Sequence, residues 1–171
     1  MKRISGVGAR RCLLLTREAY YEQYRVAQVV AGANRAPLSR DKAISEIAGV
    51  ASFEMRISRR VLLDLPQMRE PASGQVISLP AHGDPRVNRL LVRRGRLPEA
   101  GRANEVAVNE DFAKAHAFRI GDSFSAILNG RKERLQITGT VLSPEFIYTI
   151  GPGDMVPDPR RYAILYMPGD V

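Results

Sequence analysis

The chain has 171 residues, with 26 Lys and Arg against 18 Asp and Glu, a net charge of +8 and a hydrophobic fraction of 44%. That apolar content excludes a disordered polyelectrolyte, and the length suits one domain or a domain with a smaller insertion. A single cysteine, Cys12, excludes an internal disulfide and a multi-cysteine metal site.

The positive charge points first to nucleic acid or an anionic lipid surface. Its distribution weakens that reading, because residues 1–60 carry a surplus of +7 and the remainder only +1. Tyr20, Tyr21, Tyr24 and Phe53 are the only Tyr and Phe in the basic part, and the tyrosines follow a helical pattern and not a basic–aromatic stripe. No stretch approaches the ~20 apolar residues of a membrane span. The run Cys12–Leu15 is also shorter than the ~7–15 residues of a signal-peptide core.

In chain order, residues 1–13 form a basic segment expected to be disordered. Residues 17–35 read as an amphipathic helix, with Thr16 as cap and Tyr20, Tyr24, Ala27 and Ala31 on one side. A second helix opens at Ser39, with Ala43, Ile44 and Ile47 as its buried stripe and Gly49 as its end. From Ala51 to Leu65 the period becomes two, which predicts a long half-buried strand bent near Arg59. A turn at 66–74 leads to a strand over Gln75–Leu79. Gly95, Pro98 and Gly101 mark a loop, Glu105–Val108 a short strand, and Asn109 the cap of a helix running to His116. Phe124, Ala126 and Leu128 alternate before Asn129-Gly130, a strong hairpin signal, and Leu135 and Ile137 alternate after it. The Pro- and Gly-rich tail contains one clear strand, Tyr162–Met167.

Chemistry is sparse. No ATP-binding loop or nucleophile elbow occurs. His82, Asp84 and His116 are the only residues that could suggest a metal, and two solvated histidines explain them better. Glu110 and Asp111 fit the first turn of a helix without catalysis. In Gly151-Pro152-Gly153-Asp154 the proline removes a donor that a phosphate-cradling loop would need, so a rigid turn is the better reading. No catalytic, cofactor-binding or metal residue is expected, and no cofactor.

A series of short phrases carries more information. Tyr20-Tyr21-Glu22 with Arg25 is followed by Arg35-Ala36-Pro37 and Gly49-Val50. Gly95-Arg96-Leu97-Pro98 leads to Asn104-Glu105-Val106, Val108-Asn109-Glu110 and Phe112-Ala113. Gly121-Asp122, Asn129-Gly130, Ser143-Pro144-Glu145-Phe146-Ile147-Tyr148, Pro152-Gly153-Asp154 and Pro157-Asp158 complete the series. Over residues 14–168 it resembles the periplasmic core domain of FtsX-like/MacB-type ABC-transporter permeases. The resemblance implies an α+β fold in which a porter-like subdomain (14–94 and 143–168) carries an inserted small β-rich subdomain (95–142). It implies a non-catalytic extracytoplasmic role within a larger permease, and partners in that permease's membrane spans and a separate ABC ATPase. A periplasmic adaptor or a second permease copy belongs to the same expectation, and nucleic acid does not. The family's domain continues through further strands and a helix, so the chain reads as a fragment. The alternative is a free-standing basic domain that binds nucleic acid or anionic lipid.

Overall fold

The computed structural model describes residues 18–34, 37, 40–81 and 83–169. Among these described residues, three short helices, α1 (18–23), α2 (Asp41–Ser45) and α3 (Glu110–Ala115), accompany seven strands. These are β1 (Ser58–Asp64), β2 (Ala72–Leu79), β3 (Leu91–Gly95), β4 (Glu105–Asn109), β5 (Ser123–Leu128), β6 (Arg131–Leu142) and β7 (Tyr162–Pro168). The fold is α+β and dominated by its sheet.

The strands run in the order β3-β6-β4-β7-β2-β1-β5, and β5 pairs again with β6. That last pairing closes six strands into a barrel and leaves β3 on its outside. The twelve-residue β6 makes closure possible, since its first half pairs with β5 and its second half with β4 and β3. Two ladders are parallel, β2 with β7 and β4 with β6.

Alternation of side chains builds two apolar layers. Val61, Leu63, Val106, Val108, Phe124, Ala126, Leu135, Ile137 and Leu165 fill the barrel, and Phe112 and Ala113 of α3 pack into the same cluster. Outside, Ile77, Leu79, Ala107, Val141, Tyr162, Ile164 and Tyr166 form a second cluster, against which Leu90, Leu97 and Phe146 pack. A bulge sets which layer β6 serves. The β4–β6 register shifts between Val106 and Ala107, so Leu135 and Ile137 point inward while Val141 points outward. Beside it Gly139 lies so close to the next segment that a Cβ would strike the Arg96 carbonyl oxygen. β7, bonded on both edges and buried at all seven positions, is the centre of both layers.

Several expectations change. The strand read over Ala51–Leu65 begins only at Ser58, because β2 and β5 offer partners from there on. Phe53 and Met55 are half-buried and Ile57 is exposed. The first helix ends at residue 23, where Arg25 takes a positive φ of 46° and the carbonyls of Tyr24 and Arg25 accept from Arg89 and Asn88. Thr16, expected as the cap of the first helix, and Ser39, expected to open the second, lie outside the described residues. α2 buries none of its residues, and Ile47 is exposed. Asn109 does begin α3, but its side chain makes no cap bond; Oδ1 instead accepts from the Ile164 amide at 2.9 Å. The hairpin holds as read, with Asn129 and Gly130 both at positive φ between Leu128 and Arg131. The expected boundaries at 94/95 and 142/143 fall at no break in the sheet, since β1 pairs with β5 and β7 with β4 across them.

A polar junction as candidate functional site

Four segments without regular secondary structure meet on the barrel's outside. The sequence that follows α1 is irregular, and its backbone groups need partners that a helix would have supplied. Asn88 provides them. Its amide donates to the Arg25 carbonyl at 2.9 Å, and its Oδ1 accepts from the Ala27 amide at 2.8 Å. Asn88 holds a φ of 50°, a left-handed conformation that asparagine tolerates better than most residues, and is 5% exposed.

From Asn88 the network passes to charges. Its Nδ2 donates to Glu145 Oε2 at 3.0 Å, and Arg56 Nη1 donates to the same oxygen at 3.1 Å. Arg56 Nε also donates to Glu54 Oε1 at 2.9 Å, while its Nη2 donates to the Val87 carbonyl. Glu54 Oε2 accepts the Arg86 amide. Arg56 is thus a half-buried cation with two carboxylates and a carbonyl, and each of its three nitrogens has an acceptor. A bond from the Glu145 amide to Ser143 Oγ, 3.2 Å, sets the start of the 143–150 segment. The junction therefore ties 24–27, 54–56, 86–89 and 143–146 together, at the expense of three ordered charges.

A second ionic cluster lies on the β3–β4 side. Arg96 meets Glu105 through two parallel bonds of 2.7 Å, and the Glu99 amide adds a third at 3.0 Å. Arg102 stands 3.7 Å away. The bond from Arg96, opposed by burial and aided by the Glu99 amide and the two arginine charges, lowers the Glu105 pKa to about 2. Glu105 is 3% exposed, so it is an ionised carboxylate fixed inside a salt bridge, with nothing free to act as an acid or base.

Of the residues weighed for chemistry, His82 lies outside the described residues and Asp84 is exposed. His116 has both nitrogens engaged, Nδ1 with Gln67 at 3.2 Å and Nε2 with the Arg160 carbonyl at 2.9 Å. Glu110 pairs with Lys114 at 3.1 Å and Arg93 at 3.4 Å. Gly151–Asp154 is a tight turn closed by a 3.0 Å bond, with Gly153 at a φ of 90°. Among the described residues no group of three or more His, Cys, Asp or Glu is placed to hold a metal. Sequence reasoning missed the junction. Glu145 stood in a quoted phrase, but only the fold brings Asn88 and Arg56 to it.

No family model matches the chain, and no curated protein matches it. The crystal structure of the periplasmic region of MacB from Actinobacillus actinomycetemcomitans is similar to it, with a TM-score of 0.40 and 16% identity. The likeness covers 77% of this chain and 54% of that one, so the chain spans about half the length of the region it matches. No helix among the described residues is long and apolar enough to cross a membrane.

Proposed function

We propose that the chain is a non-catalytic, extracytoplasmic domain of an ABC-transporter permease of the FtsX-like/MacB type, coupling motion or partner contacts to a separate ATPase. The observation that carries this reading is where the shared phrases fall. Arg96 and Glu105, from two of them, form the bidentate salt bridge, and Glu145, from another, anchors the junction. The phrases thus supply joints between segments, which suits a module that transmits force. Within a permease, the N-terminal segment would enter from a membrane span, and the junction would hand its displacement to the barrel.

The test uses the natural protein that carries this chain, with Cys12→Ser as background and Met155→Cys as reporter, Met155 being 94% exposed. A membrane-impermeant maleimide should label the reporter in intact cells, and an ABC ATPase should copurify with the protein. Labelling only after lysis would overturn the extracytoplasmic placement. Tight DNA binding that weakens steeply with salt would favour the basic binding domain instead.

A further inference from the structure

Two apolar surfaces are left bare, and they face opposite ways. The first is the outer wall of β1 and β5. Leu62 and Ile127 are direct partners in the β1–β5 register and point away from the barrel, 49% and 41% exposed. The apolar cluster that covers the outer wall elsewhere draws on β2, β4, β6 and β7, and on neither β1 nor β5. Arg60 and Arg134 point outward too, each being next in sequence to an inward residue, Val61 and Leu135. Lys132 pairs with Asp64 on this wall, whereas Arg60 and Arg134 have no carboxylate partner among the described residues.

The second surface is the connection from β6 to β7. Tyr148 and Met155 are 77% and 94% exposed, and Ile147, Ile150 and Val156 are exposed as well. Isolated exposed aliphatics are ordinary, but five large apolar residues in a ten-residue stretch without a Lys or Arg mark a contact surface. Asp154 adds a negative charge that no cation meets among the described residues. The loop belongs to the β7 side, because Phe146 packs into the outer cluster and a Cβ on Gly151 would lie 3.5 Å from Tyr162 Cβ. Round the ring of six strands, β7 and β5 are three steps apart in either direction. The loop and the β1–β5 wall are therefore on opposite sides, and a chain cannot close its loop over its own wall.

The two surfaces match each other better than either matches itself. Wall on wall brings Arg60 and Arg134 against their own copies, and loop on loop does the same for Asp154. Loop on wall sets Asp154 against the two arginines and Tyr148 and Met155 against Leu62 and Ile127. We propose that a second copy of this chain docks its β6–β7 loop on the β1–β5 wall of the first, head to tail. Such a contact leaves one surface free at each end, so the assembly extends beyond a dimer or closes as a ring. Nothing in this inference depends on the transport reading.

Sedimentation of the full 171-residue chain from about 10 µM to about 1 mM should show species larger than a dimer, with a dissociation constant on the order of 100 µM for so small a contact. Leu62→Lys on the wall and Met155→Lys on the loop should each weaken self-association at least ~10-fold, since each puts a charge into an apolar contact. Mixed one to one, the two variants should form a dimer and nothing larger, because each retains the surface that the other has lost. Should Leu62→Lys fail to fold, Arg134→Glu tests the same wall and should weaken association at least ~5-fold. A wild type that stays monomeric or stops at a dimer in this range would overturn the proposal. So would a Met155→Lys variant that still self-associates, or a mixture that forms no dimer. Monomers that pellet with phosphatidylglycerol vesicles, and less so as salt rises, would assign the wall to anionic lipid instead.

Discussion

The barrel strands and the segment before them, residues 18–57, carry comparable amphipathic patterns and end differently. Val61, Leu63 and Leu65 are buried in the barrel, whereas Phe53 and Met55, on the same alternating face of the sequence, stay half-buried and Ile57 is exposed. Val29 and Val30 are 84% and 72% exposed where helix was expected. Alternation fixes which face a side chain would take, but a strand forms only where neighbours can bond both edges or cover a face. Before Ser58, side-chain ties such as Asn88 to Ala27 do the work of a ladder.

The largest expected effect tests this contrast directly. Leu165→Ala, at a fully buried position of β7, should destabilise the protein by about 2–5 kcal/mol in urea unfolding. Ile47→Ala should stay within about 0.5 kcal/mol. Equal costs would show that the segment just after α2 is as much part of the cooperative unit as the barrel.

Glu105→Gln comes next. Losing a charge-assisted pair that is buried on one side and open to solvent at Arg96 should cost about 1–2 kcal/mol at pH 7. The native pKa of about 2 lies below the ordinary 4.5, so the wild-type advantage is complete above pH 4.5 and fades as pH falls toward 2. Urea midpoints of wild type and variant should therefore converge in acid. A gap that persists at pH 2 would assign the effect to packing.

Gly130→Val is smaller. Space is open around it, but its φ of 79° is a conformation that a β-branched residue resists, at a cost of about 1 kcal/mol. A wild-type melting temperature would mean that the turn relaxes without loss.

The hairpin was legible because its signal is local: Asn129-Gly130 names the turn, and two residues fix the register. β7 was legible as a continuous apolar run. β3 was not, because Leu91–Gly95 is one half-buried leucine followed by four exposed positions, and it becomes a strand only by lying on β6. Barrel closure was equally hidden, since it depends on pairing Leu62 with Ile127 and Ser73 with Tyr162 across long separations. At the junction, Asn88 sits in a turn-rich stretch where an asparagine is ordinary. Only its left-handed backbone and its three bonds distinguish it, and neither can be read from residue type.

Arg56→Met acts on the junction. Removing the cation leaves Glu145 within reach of water but strands Glu54, whose side chain is 8% exposed, so overall stability should fall by about 1–3 kcal/mol. Hydrogen exchange should still accelerate at Ala27, Val87 and Asn88 while the barrel amides keep their protection. Uniform acceleration would mean that the two regions open together.

The place of β7 bears on how the protein is made. The strand at the middle of the sheet is the last of the seven to be synthesised, since β2 and β4, its neighbours, precede it by some ninety and sixty residues in the register pairs Ser73–Tyr162 and Ala107–Tyr166. On the ribosome, β2 and β4 must wait with open edges until residues 162–168 leave the exit tunnel. Such long-range closure places folding among the slow β-rich topologies, in the millisecond-to-second range. During that wait the exposed strand edges make the nascent chain prone to aggregate, until one seven-residue segment arrives and bonds both edges at once.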